Sequence, residues 1–249
     1  MKRIVVLLLV TVLALALAAP SLAAKPDKPN IKEAVFIHYE HPAKLAPPPP
    51  PAPKVYDYFL LLGPKWDLAK YPTGVPYVIN PTGAPAGAEA EVKKSFETWD
   101  AATSSELFNN SPFIDLASWW GTLDGKNNVS WQVLASGSII AGTWIWYDDK
   151  DNSGGMSDGD EILETDIVFN KTMKWGIDAD GEGTAFKLTK AYDVANIGTH
   201  EVGHVVGLDD FYNTIYSEIT MYGYSSKAET KKISLEIGDR NGTASLYGS

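Results

Sequence analysis

Two of the four histidines in this 249-residue chain stand four positions apart, in His200-Glu201-Val202-Gly203-His204, with Gly207, Asp209 and Asp210 just beyond. On a helix, positions i and i+4 share one face about a turn apart, so His200 and His204 can present two imidazoles to one cation. Glu201 then projects beside that cation rather than onto it, where a carboxylate takes a proton from an activated water. Two neutral nitrogens and a hard oxygen suit zinc, with one position left open. No histidine follows, so the third ligand must be an acid. Gly207 tolerates positive φ and lets the chain turn back sharply; Asp209 and Asp210 both come within reach on spacing alone. The competing reading is two ordinary histidines on a buried helix face. The glutamate, the helical pattern and the terminating glycine weigh against it.

Composition narrows the chemistry. There is no cysteine, which excludes disulfides, thiolate zinc sites and cysteine nucleophiles. Net charge is −10; without Lys2 and Arg3 it is about −12. An acidic surface argues against a nucleic-acid partner and fits binding of hard cations.

The elements that must position these residues follow from periodicity and turn chemistry. Met1-Lys2-Arg3, an apolar run from Ile4 to Ala19 and Ser21-Leu22-Ala23 read as a signal peptide over residues 1–23. The run is about 16 residues, short of the roughly 20 that a span needs, so no membrane span is expected in the mature form, which would be secreted and extracellular. Residues 24–54 read as a Pro-rich leader or linker, with removal as a propeptide left open. They contain a strand-like run, Ala34–Tyr39, and five prolines from Pro47 to Pro51 that favour a stiff spacer. The compact domain is expected over 55–249. Val75–Asn80 reads as a strand, and Val92, Phe96 and Trp99 mark one stripe of a helix over Ala88–Ala102. Val129–Leu134, Ala141–Tyr147 and Thr165–Asn170 read as strands. Asp193 is placed to cap a helix from Val194 to Val206 that Gly207 ends, and a last helix runs from beyond Ser234 to Tyr247. This order predicts an α+β domain with a mixed twisted sheet, a central active-site helix and a C-terminal helix.

The stretch from His200 to Asp210 resembles the signature of the metzincin zinc peptidases, His-Glu-x-x-His-x-x-Gly-x-x-His or Asp. An aspartate at the last position resembles the snapalysin-like branch, and the resemblance implies Asp210 as third ligand. Glu218-Ile219-Thr220-Met221-Tyr222-Gly223 is similar to the clan's methionine turn, which implies Met221 beneath the metal. Pro76–Ile79 with the Phe96/Trp99 helix, Asp166–Asn170 and Ser234–Gly248 resemble matrixin elements, over roughly residues 65 to 249. The implied activity is that of a monomeric zinc endopeptidase with Glu201 as general base. An extended protein or peptide substrate would add to an edge strand such as Thr165–Asn170. The loop after Met221 would wall the specificity pocket. Tyr222 and Tyr224 are candidates for oxyanion stabilisation or pocket lining, with packing the simpler role. Matrixins hold themselves latent with a cysteine on zinc; this chain has none, so any latency works otherwise.

Asp149, Asp151, Ser153, Asp158 and Asp160 lie in a stretch that resembles an EF-hand loop and are candidate calcium ligands, although its flanks look like strands. Asp178–Glu182 is a weaker candidate. His38 and His41 read as leader surface residues; a role covering the zinc is the less favoured alternative. Asn128, Asn170 and Asn241 begin glycosylation sequons. Two other functions remain in play, a catalytically silent binding module on a protease fold and a calcium-stabilised surface protein. Retention of Glu201 argues against the first.

Overall fold

The computed structural model describes residues 28–42, 54–178, 181–182 and 190–249. The expected signal peptide and the proline run fall outside them. In chain order the elements are β1 (Ile31–Glu40), β2 (Val78–Asn80), α1 (Ala88–Asp100), β3 (Phe113–Ile114), β4 (Asn128–Gln132), β5 (Ile139–Asp148) and β6 (Glu161–Asn170). There follow β7 (Trp175–Gly176), β8 (Tyr192–Asp193), α2 (Val194–Val206), β9 (Tyr224–Ser225) and α3 (Ile237–Tyr247). A mixed seven-stranded sheet, ordered β3-β2-β4-β6-β5-β1-β9, carries the domain, and β7 pairs with β8 separately. This is the expected α+β architecture. Among the described residues no helix is long and apolar enough to cross a membrane.

The sheet departs from expectation at two strands. Thr165–Asn170 is not an edge: β6 pairs in parallel with β4 on one side and antiparallel with β5 on the other. Its near-continuous burial is what an interior strand shows. The edge of β5 is instead covered by β1, from the segment read as leader. These two strands pair antiparallel from Ile31 opposite Asp148 to Tyr39 opposite Ile139. Tyr39 and Glu40 then pair in parallel with Tyr224 and Ser225 of β9.

Helix α1 lays Val92, Phe96 and Trp99 on the core as the stripe predicts. Fully burying a side chain of this size contributes roughly 1.5–3 kcal/mol. Trp99 also donates from Nε1 to the carbonyl of Thr199 at 2.7 Å, which ties α1 to α2. All thirteen residues of α2 are buried, so its orientation is fixed on every side. The Asp193 side chain caps its first turn by accepting from Asn196 N at 2.7 Å. Gly207, at φ +112°, ends it in the left-handed conformation.

Candidate metal centre and cleft

Helix α2 carries His200 and His204 on one face, and the turn at Gly207 returns Asp210 to them. Asp210 Oδ1 lies 3.3 Å from His200 Nε2 and 3.6 Å from His204 Nε2. Ligand atoms of these three buried residues all fall within 4.8 Å of one another. Each imidazole is oriented through its other nitrogen: His200 Nδ1 is 2.8 Å from the carbonyl of Thr220, and His204 Nδ1 is 2.9 Å from that of Leu208. Assigning the proton to Nδ1 leaves both Nε2 atoms as lone-pair donors aimed inward. His200 Nε2 and Asp210 Oδ1 are buried with no hydrogen-bond partner. Two imidazole nitrogens and one carboxylate oxygen converging without protons of their own are a donor set that fits zinc. Asp209 points elsewhere, accepting from Asp210 N at 2.8 Å.

Electrostatics at the cluster follow burial. Desolvation lowers His200 to about 4, which favours the neutral ligand form. Burial alone would raise Asp210, but His204 and His200 outweigh it and hold the acid at about 2. Tyr212 adds a hydrogen bond from its hydroxyl to Asp210 Oδ2 at 2.8 Å. Glu201 is fully buried, and desolvation pushes it up to about 8. Its Oε2 accepts from Thr143 Oγ1 of β5 at 2.7 Å. Neither Tyr212 nor Thr143 carried a sequence signal, because both act through the fold rather than through a local motif.

Met221 lies under the helix, buried at 2% exposure, and its carbonyl accepts from Phe211 N at 2.8 Å. Tyr222 is buried and Tyr224 half-buried, with ring centroids 5.8 Å apart.

The open side of the cluster is covered by β1. His38 is 1% exposed, a correction to its reading as a surface residue. Its ring centroid is 3.9 Å from that of His200, and its Nδ1 is 3.3 Å from Glu201 Oε1. Phe36 stacks on His204 at 4.6 Å. Gly142 of β5 makes this approach possible, since a Cβ there would meet the Phe36 carbonyl oxygen at 2.9 Å. Burial, together with the neighbouring His200 and Lys232, holds His38 well below the ordinary histidine range. His41, by contrast, stays partly exposed.

The acidic loop joins β5 to β6. Asp149, Asp151 and Asp160 bring oxygens within 4.8 Å of one another. Asp158 is exposed and stands outside that group, and Ser153 donates its hydroxyl to the Gly155 carbonyl at 2.9 Å. In the second acidic loop, residues 179–180 lie outside the described residues. Two sequons are corrected: Asn128 and Asn170 are buried and hydrogen-bonded, to Asp166 Oδ1 at 3.0 Å and to the Ile139 carbonyl at 2.8 Å. Buried amides cannot accept a glycan.

This fold and cluster define a class. The matrixin family model matches residues 124–248, half of the chain, and the chain belongs to that family. It is also 32% identical over 83 residues to metalloendoproteinase 4-MMP of Arabidopsis thaliana. That match covers 33% of this chain and 22% of the plant protein's length.

Proposed function

We propose that the protein is a secreted zinc-dependent endopeptidase. The observation that carries this reading is the convergence of His200, His204 and Asp210 on one point, with Glu201 beside them and aimed at the same cleft. His200 and His204 would hold the ion through Nε2 and Asp210 through Oδ1. Bound there, zinc supplies a Lewis acid that polarises a carbonyl and makes water nucleophilic at neutral pH. Glu201 takes the water's proton and passes it to the departing amine. Thr143 fixes the carboxylate for it. Tyr222 and Tyr224 serve as pocket wall.

The β5 edge supports an extended substrate, since an edge strand binds a peptide through main-chain hydrogen bonds. In the full chain β1 takes that place, which supports a latent form in which residues 24–54 act as a propeptide behind a signal peptide over 1–23. Calcium at Asp149, Asp151 and Asp160 belongs to the same proposal, supported by three carboxylates that repel one another without a cation.

The test is chelation. Dialysis of a Phe36→Ala chain, in which β1 is loosened from the cleft, against a zinc chelator should abolish casein hydrolysis and lower the thermal midpoint, and added zinc should restore both. Activity that survives complete zinc removal would refute the proposal.

A further inference from the structure

Lys232 is an unexplained residue, a lysine at 0% exposure beside the cleft. Its backbone is fixed by Asn196 Oδ1 of α2 at 2.8 Å. Its Nζ donates to the carbonyls of Tyr222 and Tyr224 and to Ser225 Oγ, the last two at 2.9 Å. It thereby ties together the wall along which β1 runs. His38 Nε2 is a fourth, longer neighbour of the ammonium at 3.3 Å and shares a hydrogen with those acceptors. The nearest carboxylate of the wall is Glu229, at 3.8 Å. Glu229 forms an ion pair at the edge of range and is itself 15% exposed, while the other close neighbours of the ammonium are neutral, so the fully buried charge is incompletely compensated and favours a second anionic partner. Desolvation accordingly lowers Lys232 to about 8.

We propose that Lys232 selects the substrate side chain that takes His38's place, favouring a glutamate, with glutamine next. This rests on the peptidase reading above. The His38 ring defines the requirement at two points. Its Nδ1 faces Glu201 and its Nε2 faces Lys232. An occupant therefore carries an acceptor at its far end and no negative charge near its root. Glutamate meets both conditions, whereas aspartate places its charge closer to Glu201. Lysine and arginine would set a second cation against the buried ammonium.

Two experiments on the zinc-loaded full chain test it. The first measures hydrogen-exchange protection of the β1 amides in His38→Glu, His38→Gln, His38→Leu and His38→Lys. Protection should fall in that order, by about tenfold or more from Glu to Lys, and the order should collapse when Lys232→Met is added. Equal protection for Glu and Lys, or leucine seated best, would overturn the proposal. If Lys232→Met does not fold, the Glu-to-Lys order alone decides. The second digests a mixed peptide library with the Phe36→Ala chain, whose cleft is loosened. Glutamate and glutamine should be enriched at one fixed position next to the cut bond, and a flat or apolar profile there would overturn the proposal. No cleavage at all, with the exchange order intact, would refute the peptidase reading and uphold the pocket's preference.

Discussion

Met221 occupies the space that a side chain on Gly203 would need. A Cβ at Gly203 would run into the Met221 sulfur and meet Trp99 Cζ2 at 2.8 Å. The glycine between the two helical histidines is therefore a packing requirement, and it lets the methionine turn press up under the cluster. Gly203→Ala should destabilise the fold by about 1–3 kcal/mol, the usual range for overpacking a filled core, despite alanine's better helix propensity. Urea denaturation reads this; an unchanged or raised midpoint would mean that Met221 moves aside freely.

The proposed zinc site takes Asp210, whose Oδ1 faces both histidines, rather than Asp209 as its third ligand. Asp210→Ala should weaken zinc binding by more than the roughly 10–100-fold that loss of an outer partner costs. Asp209→Ala, which removes only an acceptor for Asp210 N, should fall within or below that range. Competition against a chelator of known affinity measures both, and equal losses would contradict the assignment.

Much of this was legible in the sequence where the signal is local. The bounds of α2, its Asp193 cap and its Gly207 stop coincide with the reading, because capping and left-handed glycine act within a turn. The stripe of Val92, Phe96 and Trp99 is also where periodicity put it. What failed was sheet order. Strand propensity marks Thr165–Asn170 and Ala34–Tyr39 as extended, but not which neighbours they take, and non-local pairings such as Asn128 with Asp166 or Ile31 with Asp148 leave no local trace. For the same reason Thr143 and Lys232 went unnoticed: their partners are set by topology. His38 looked like surface because its proline-rich surroundings did, while its own burial depends on β5.

Asp239 makes part of the stability pH-dependent. Its Oδ2 accepts from Thr220 N at 3.1 Å and Glu236 N at 2.8 Å, while Oδ1 has no partner. Burial raises it to about 6 from an ordinary 3.8. A raised carboxyl favours the folded state most below its unfolded pKa and loses that advantage as pH rises through the folded value. Asp239→Asn keeps the acceptor and cannot ionise. Between pH 4 and pH 7 the variant should gain on the parent by on the order of 2–3 kcal/mol. Denaturation at the two pH values checks this, and parallel behaviour would contradict it.

Phe36 holds β1 against His204. Phe36→Ala should loosen the strand, raise casein turnover several-fold, and cost roughly 0.5–1.5 kcal/mol for the lost ring pair beyond its area. Unchanged turnover with β1 amides newly exposed to exchange would mean that the strand does not restrain the site.

In the function proposed, Glu201 does the proton chemistry at a zinc site. The direct measurement is casein hydrolysis by the Phe36→Ala chain with and without Glu201→Gln, with zinc content determined on both. Zinc content should be equal in the two, and turnover should fall roughly 10²–10⁴-fold in the glutamine variant. Equal turnover in the two, or none in either with zinc fully bound, would contradict it.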